Sequence, residues 1–548
     1  MIFGNFFTRL VEFFSENWRQ LLAITIAIVL PASLVNFGRT TFWTLLSDTC
    51  FEMGVFFLIA AMLGRRWGKW LCHFTFIIAV LDFGLSFGNY LAVGQEVSLH
   101  TFYLILGTNP DEASEFFSFY FPISKVLLWI AAIILLCLLC FAKKPRLTLG
   151  RKVSQIGTAV FLVTAILCFP SLKRDMYYWF NKTLPIKYLI ILKDYEPLDK
   201  VAENRHDIPI TEVSAEHPQN IVIIIGESFS KSHSSIYGYK KDTNPELAKL
   251  ADQGNLLAFT QCIAPAPFTH LAFKNIFSLW DGNDKMVNSA KEGMVNGLKK
   301  IFMPWTNKDN WYDYPTFFDV FSQKYTIRWV SNQNSYGMFD NVQATFADLS
   351  DTIWYAEQHP EAASRYDQVV VPVLDSFLKS DSLPTITIVN LMGQHEDFTN
   401  RYPSSWEYFK SEDYKECPAH QQERLAQYDN ATRYNDHVVS SIMNLYKDEC
   451  AMVFYFPDHG LDLYESAPNY IGHAADRSQK SWDISCQIPF FIYVTDSYQE
   501  TFPQQVEQLR KSLNKPYNTK NFIYTLMKIT GWKLSHDTDK EDQGLLYD

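Results

Sequence analysis

Hydrophobic and polar positions fall into two regimes along this chain. Up to about residue 171 the apolar residues run in long blocks. Five of them approach the roughly 20 residues a helix needs to cross a bilayer: 20–37, 42–64, 71–92, 121–141 and 153–171. Pro31 and Pro170 interrupt the first and the last. From residue 220 onward, short apolar runs alternate with amphipathic stretches. The runs 221–225, 325–330, 385–390, 452–456 and 489–494 predict strands, while 361–379 and 420–446 predict helices. Continuous β-branched and aromatic runs mark strands buried on both faces, as in parallel sheets. The expected architecture is a five-span α-helical transmembrane domain followed by an α/β, doubly wound, largely parallel sheet. Its boundaries are an anchor over 1–171, a connector over 172–218 lying partly on the membrane surface, and a catalytic domain over 219–548.

Basic residues orient the anchor. Arg9 and Arg19 precede the first span, Arg65, Arg66 and Lys69 lie between the second and third, and Lys143, Lys144, Arg146, Arg151 and Lys152 between the fourth and fifth. The segment from about 93 to 120 has no Lys or Arg but carries Glu96, Asp111, Glu112 and Glu115. Positive loops stay inside, so an odd number of spans exports everything after residue 171. The expected location is the bacterial inner (cytoplasmic) membrane, multi-pass, with a periplasmic catalytic domain. The N-terminus lacks the pattern of a cleavable signal and is expected to remain as the first span. The connector opens with Lys173, Arg174, Tyr177, Tyr178 and Trp179, a mixture suited to a membrane surface or to an ordinary linker.

A net charge of −11 with no basic stripe argues against a nucleic-acid partner. Cys50, Cys72, Cys137, Cys140 and Cys168 fall within the apolar blocks and read as small packing residues. Cys262, Cys417, Cys450 and Cys486 lie in the exported part, where two disulfides are permitted and three pairings are open. Asp48, Glu52 and Asp82 sit in or beside membrane spans. There they are either interfacial groups facing water or a carboxylate patch that meets a lipid ammonium headgroup.

Candidate chemistry gathers at strand ends. Asn220–Gly226 stops at Glu227, and Met452–Pro457 stops at Asp458-His459-Gly460. Either could be an ordinary turn, but ligands collect beyond the carboxyl ends of open α/β sheets. Two carboxylates plus an imidazole from two such ends suit Zn2+. His395, in Met392-Gly393-Gln394-His395, and His473, after Gly472, follow on nearby loops and would otherwise read as solvated. Asn332 lies at a further strand end. Thr269 follows Pro265-Ala266-Pro267-Phe268 at a predicted helix start. It is either a helix cap or a nucleophile activated by helix amides and a metal.

Gly226-Glu227-Ser228, Tyr237-Gly238-Tyr239, Asp242-Thr243-Asn244-Pro245-Glu246-Leu247, Pro267-Phe268-Thr269 and Asp458-His459-Gly460, in that order, resemble the membrane-bound phosphoethanolamine transferases. These belong to the alkaline phosphatase and sulfatase superfamily and modify lipid A or the lipopolysaccharide core. The resemblance implies zinc held by Glu227, Thr269, Asp458 and His459, with Thr269 as nucleophile. It assigns His395 and His473 to the phosphoethanolamine group, with Asn332 and Gln333 as a looser match among substrate-binding residues. Pro267-Phe268-Thr269 is closer to the Pro-Tyr-Thr of the core-modifying branch. Cys262-Ile263-Ala264-Pro265 is not the sulfatase Cys-x-Pro-x-Arg motif, which disfavours sulfate-ester hydrolysis. The implied donor is phosphatidylethanolamine and the acceptor a lipopolysaccharide sugar or phosphate, with the protein a monomer in the bilayer. Adding an amine to an anionic envelope would weaken its attraction for cationic peptides. The rival expectations are a phosphoglycerol transferase of the lipoteichoic acid synthase type and a non-catalytic envelope sensor that keeps the fold.

Overall fold

A computed structural model describes residues 2–36, 41–93, 97, 110–141, 150–172, 201, 205–214, 217–280, 311–335, 342–359, 366–380, 384–473, 478–534 and 544–545. These residues divide into two compact units. One holds the described residues up to 97 and 117–172; the other holds 110–116 and those from 201 onward. Most of the expected connector, including Lys173, Arg174, Tyr177, Tyr178 and Trp179, lies outside the described residues.

Five long helices of the first unit coincide with the five apolar blocks: α1 (Ile2–Asn36), α2 (Thr41–Met62), α3 (Gly64–Val93), α5 (Ile123–Phe141) and α6 (Arg151–Leu172), with α4 (Pro110–Tyr120) between the third and fourth. Among the described residues, Gly64–Ala92 and Ile123–Phe141 are long and apolar enough to cross a bilayer. α1 starts well before the expected residue 20 and carries Pro31 inside it. α5 buries only Leu136 and Cys140 and exposes Leu127, Leu128, Ile134, Leu135 and Leu138. A helix apolar all round that leaves most of that surface uncovered suits lipid rather than water.

The second unit is built on a seven-stranded sheet. Its strands are β1 (Asn220–Gly226), β2 (Leu256–Ala258), β3 (Thr326–Ser331), β4 (Thr352–Tyr355), β5 (Thr385–Asn390), β6 (Ala451–Pro457) and β7 (Phe491–Val494). They lie in the order β2-β7-β6-β1-β5-β3-β4. The five strands from β6 to β4 run parallel, and β7 and β2 add an antiparallel edge. The expected strands all form, within about two residues of the expected ends. β2 and β4 were not foreseen because short edge strands leave too few residues for a period.

Alternation along β1 divides its side chains between two layers. Ile221, Ile223 and Ile225 join a core with Phe273, Ile276 and Phe277 of α8 (Thr269–Phe277), which follows α7 (Pro245–Asp252) in the chain. Each such buried side chain contributes roughly 1.5–3 kcal/mol. α9 (Val370–Lys379) and α10 (Ala419–Leu445) follow in the chain; Tyr455 of β6 points to α10, its hydroxyl 2.8 Å from Asn435 Oδ1. Helices on both faces of a mostly parallel sheet are the doubly wound arrangement. The expected helix 361–379 is shorter: residues 366–369 form a tight turn and α9 begins at Val370, while 361–365 lie outside the described residues.

Candidate active site

Four adjacent strands deliver polar groups to one edge of the sheet. In the parallel register Gly226 lies beside Pro457, Ile225 beside Asn390, and Ser331 beside Asn390. The residues that follow these ends therefore emerge together: Glu227 after β1, Asp458 and His459 after β6, Asn332 and Gln333 after β3, and the loop to His395 after β5.

Glu227, Asp458 and His459 are buried and each offers a ligand atom, all within 4.8 Å of one another. His459 Nε2 stands 3.2 Å from Glu227 Oε1, 3.5 Å from Asp458 Oδ2 and 3.3 Å from Thr269 Oγ1. Thr269 Oγ1 is also 3.4 Å from Glu227 Oε2. Bonds of about 2 Å to a tetrahedral zinc would set ligand atoms on the order of 3.5 Å apart. His459 Nδ1 faces the Gly460 carbonyl at 2.8 Å, which assigns the ring proton to Nδ1 and aims the Nε2 lone pair into the cluster. Asp458 Oδ2 is buried and without a hydrogen-bond partner among the described atoms. An orphaned carboxylate oxygen beside a second carboxylate and a correctly aimed imidazole fits a divalent cation.

The electrostatics agree. Burial opposes the charge of Glu227, yet the His459 imidazole, with His395 and the Ser228 hydroxyl, holds its carboxyl well below the usual range. Burial and the Glu227 charge push Asp458 up to about 7. Burial works against a charged His459, but Asp458 and Glu227 raise it to about 9. Two carboxylates in one dry pocket therefore demand positive charge, which protons supply in the absence of a metal.

Thr269 is the first helical residue of α8, and Phe268 takes the capping position without a side-chain hydrogen bond. The capping expectation is corrected accordingly: the hydroxyl points at Glu227 and His459 instead. Helix geometry explains why, since the extended Phe268 places residue 269 at the amino end, facing the sheet edge.

The remaining predicted residues take different positions. The His473 ring lies 4.4 Å from that of His459. His395 is near enough for its charge to stabilise Glu227, and its Nδ1 meets the Glu396 carbonyl at 2.6 Å. Gln333 Nε2 donates to Leu391 O at 2.8 Å and lies 3.4 Å from Glu227 Oε2. Asn332 donates to Asp367 Oδ1 at 2.9 Å. Asp367 was not foreseen; its carboxylate accepts from the Met392 and Gly393 amides, both at 2.8 Å, and so ties down the loop that carries His395. A lone Asp in an amphipathic stretch carries no signal for that role. Cys262, Cys417, Cys450 and Cys486 are all free thiols, so neither permitted disulfide forms.

A family model described as Sulfatase matches residues 219–532, more than half of the chain. The chain belongs to the sulfatase family. Within it, the chain is similar to phosphoethanolamine transferase EptC of Escherichia coli K12, 25% identical over 477 residues, covering 82% of this chain and 77% of that protein. Phosphoethanolamine transferase CptA of Salmonella typhimurium is 24% identical over 474 residues, 81% of this chain and 76% of its own length. The likeness named from the motifs is thus found along most of the chain. Among solved structures, the integral membrane lipooligosaccharide phosphoethanolamine transferase A of Neisseria meningitidis aligns with a TM-score of 0.66 over 98% of each chain. At 14% identity that likeness is one of fold, and it extends to the helical unit.

Proposed function

We propose that this protein transfers phosphoethanolamine from phosphatidylethanolamine to lipopolysaccharide, at a core sugar or lipid A, through a covalent phosphoethanolamine-threonine intermediate. The observation that carries the reading is the Thr269 hydroxyl held between Glu227 and His459, 3.4 and 3.3 Å away. Glu227, Thr269, Asp458 and His459 would hold zinc, which would ease ionisation of the hydroxyl and offset charge on the phosphoryl oxygens. Thr269 Oγ forms a bond to phosphorus as the bond to the diacylglycerol oxygen breaks. His395 or His473 protonates that leaving oxygen. Thr269 releases its proton to solvent on ionising. In the second displacement an acceptor hydroxyl or phosphate oxygen bonds to phosphorus as the bond to Thr269 Oγ breaks. A hydroxyl's proton passes to the histidine that protonated the first leaving oxygen, and Thr269 takes a proton back from solvent. The names of the sulfatase-family relatives above support the group transferred.

The same reading places all five helices of the first unit across the inner membrane and the second unit in the periplasm. It rests on the uncovered apolar face of α5 and on the distribution of basic residues. The test is Thr269→Ala in the full-length protein. Transfer to lipopolysaccharide should be abolished while the variant stays folded, as read by a cooperative thermal transition. Mass spectrometry of wild-type protein quenched during turnover should find a phosphoethanolamine adduct on Thr269. A phosphoglycerol adduct would favour the lipoteichoic acid synthase type of chemistry, and undiminished transfer by the variant would remove Thr269 from the reaction.

A further inference from the structure

The turn that follows Glu227 is held in an unusual conformation. Ser228 has φ +56°, the left-handed region that residues with a side chain seldom occupy. That conformation lets one residue reach two ligands. Ser228 Oγ donates to Glu227 Oε1 at 2.8 Å, and the Ser228 amide lies 3.4 Å from Asp458 Oδ1. The strain must be balanced by neighbouring contacts, and two sets meet the turn from different directions. On one side the Ser230 hydroxyl bridges the backbone of Leu461, two residues beyond His459. On the other side stands a single side chain from α10.

That side chain is Tyr428. Its hydroxyl donates to the Ser228 carbonyl at 2.7 Å and accepts from the Ser230 amide at 2.8 Å, closing the turn from within. The residue is fully buried. Phe398 packs edge-on at 5.1 Å and the His233 ring at 5.2 Å, so the phenol has little freedom to move. Phe398 lies three residues past His395, on the same loop. The next residue of α10, Asp429, accepts from Tyr239 Oη and pairs with His233 Nδ1, both at 2.7 Å, which anchors the helix beneath the tyrosine.

We propose that Tyr428 is a positioning residue of the metal centre. Through the Ser228–Ser230 turn it sets the aim of the Glu227 and Asp458 carboxylates. The inference rests on the cation reading of the cluster and adds to it a specific residue outside the ligands. Partners that orient metal ligands typically change metal affinity by about 10–100-fold when removed.

The test compares Tyr428→Phe with Tyr414→Phe in the full-length, detergent-solubilised protein. Tyr414 donates to Asp429 Oδ2 and makes no hydrogen bond to the turn, so its loss samples a similar structural defect. Zinc affinity is read by competition with a chromophoric chelator, alongside melting temperature with and without metal. Y428F should bind zinc at least tenfold more weakly, and Y414F within about twofold of wild type. Equal zinc affinity in Y428F and wild type overturns the proposal, as does an equal loss in both variants. If Y428F does not fold, Ser230→Ala loosens the same turn from the Leu461 side. It should weaken zinc severalfold, and unchanged affinity there also overturns the proposal. Wild-type protein that takes up no zinc would instead defeat the cation reading, which keeps the two failures distinct.

Discussion

Gly393 shows how narrow the tolerances at this site are for a single residue. Its φ is +50°, and a Cβ there would lie 2.6 Å from the Glu227 amide nitrogen and 2.8 Å from its carbonyl oxygen. Both contacts are with backbone, so neither can swing aside. Only a hydrogen fits between the His395 loop and the strand end that bears Glu227. Gly393→Ala should therefore destabilise the catalytic unit by about 1–3 kcal/mol and weaken metal binding together. Denaturant melts and zinc titration of the variant check this; parental values in both would mean the loop can move away freely. Glu227 and Asp458-His459 stood out in the sequence because apolar runs that end abruptly in a carboxylate or imidazole are informative, whereas Thr269 read equally as a helix cap and was singled out by the family resemblance. Ser228, Asp367 and Tyr428 did not stand out. The roles of Asp367 and Tyr428 come from hydrogen bonds to residues 25 to 200 positions away, and Ser228 reaches Asp458 across 230 positions; no local pattern records such partners.

At the scale of elements, α10 carries more of the site's support than its composition suggests. Alongside apolar residues such as Leu425, Val438, Val439, Ile442 and Met443, it buries Asp429, Asn430, Thr432, Asn435 and Asp436. Periodicity found the helix, expected over 420–446 and observed over Ala419–Leu445. It could not show which polar residues face inward. One consequence is a pH-dependent bond between this helix and the segment after β1. Burial would lower His233, but the facing Asp429 carboxylate, hydrogen-bonded to it, raises it above the ordinary value near 6.5. A histidine raised on folding stabilises fully below its unfolded value, and that contribution fades as pH climbs through the folded one. His233→Gln should thus be most destabilised relative to wild type below about pH 6.5, with the gap narrowing as pH rises above that value. A gap that stays constant as pH rises, measured by denaturant melts, would contradict the charged pair. The shortened α9 has a similar origin: the Asp367 side chain is committed to the Met392 and Gly393 amides, and the chain there turns tightly before the helix begins.

For the whole molecule, the proposed zinc links the site to global stability. A ligand bound only by the folded state adds RT ln(1 + [L]/Kd), about 2.7 kcal/mol at a hundredfold excess over Kd. Chelation should lower the melting temperature of the catalytic unit, and added zinc should restore it, in Thr269→Ala more weakly than in wild type. Calorimetry with and without chelator measures this, and a transition insensitive to chelation would argue against a cation in the cluster. The helical unit should melt independently of the metal, since none of the proposed ligands lies in it.

What the sequence determined by itself were properties written in local runs. Long apolar blocks predicted the helices of the first unit, and buried strands ending in chemistry predicted a parallel sheet with a ligand edge. Burial and periodicity depend on neighbours a few residues away, so they survive in one dimension. Only the tertiary structure decided the strand order, which sets β6, β1, β5 and β3 side by side and so brings residues 227, 269, 333, 395 and 459 to one edge. It also decided that the Thr269 hydroxyl faces Glu227 and His459 rather than capping α8. Those outcomes depend on packing among segments far apart in the chain, where distance in sequence says nothing about distance in space.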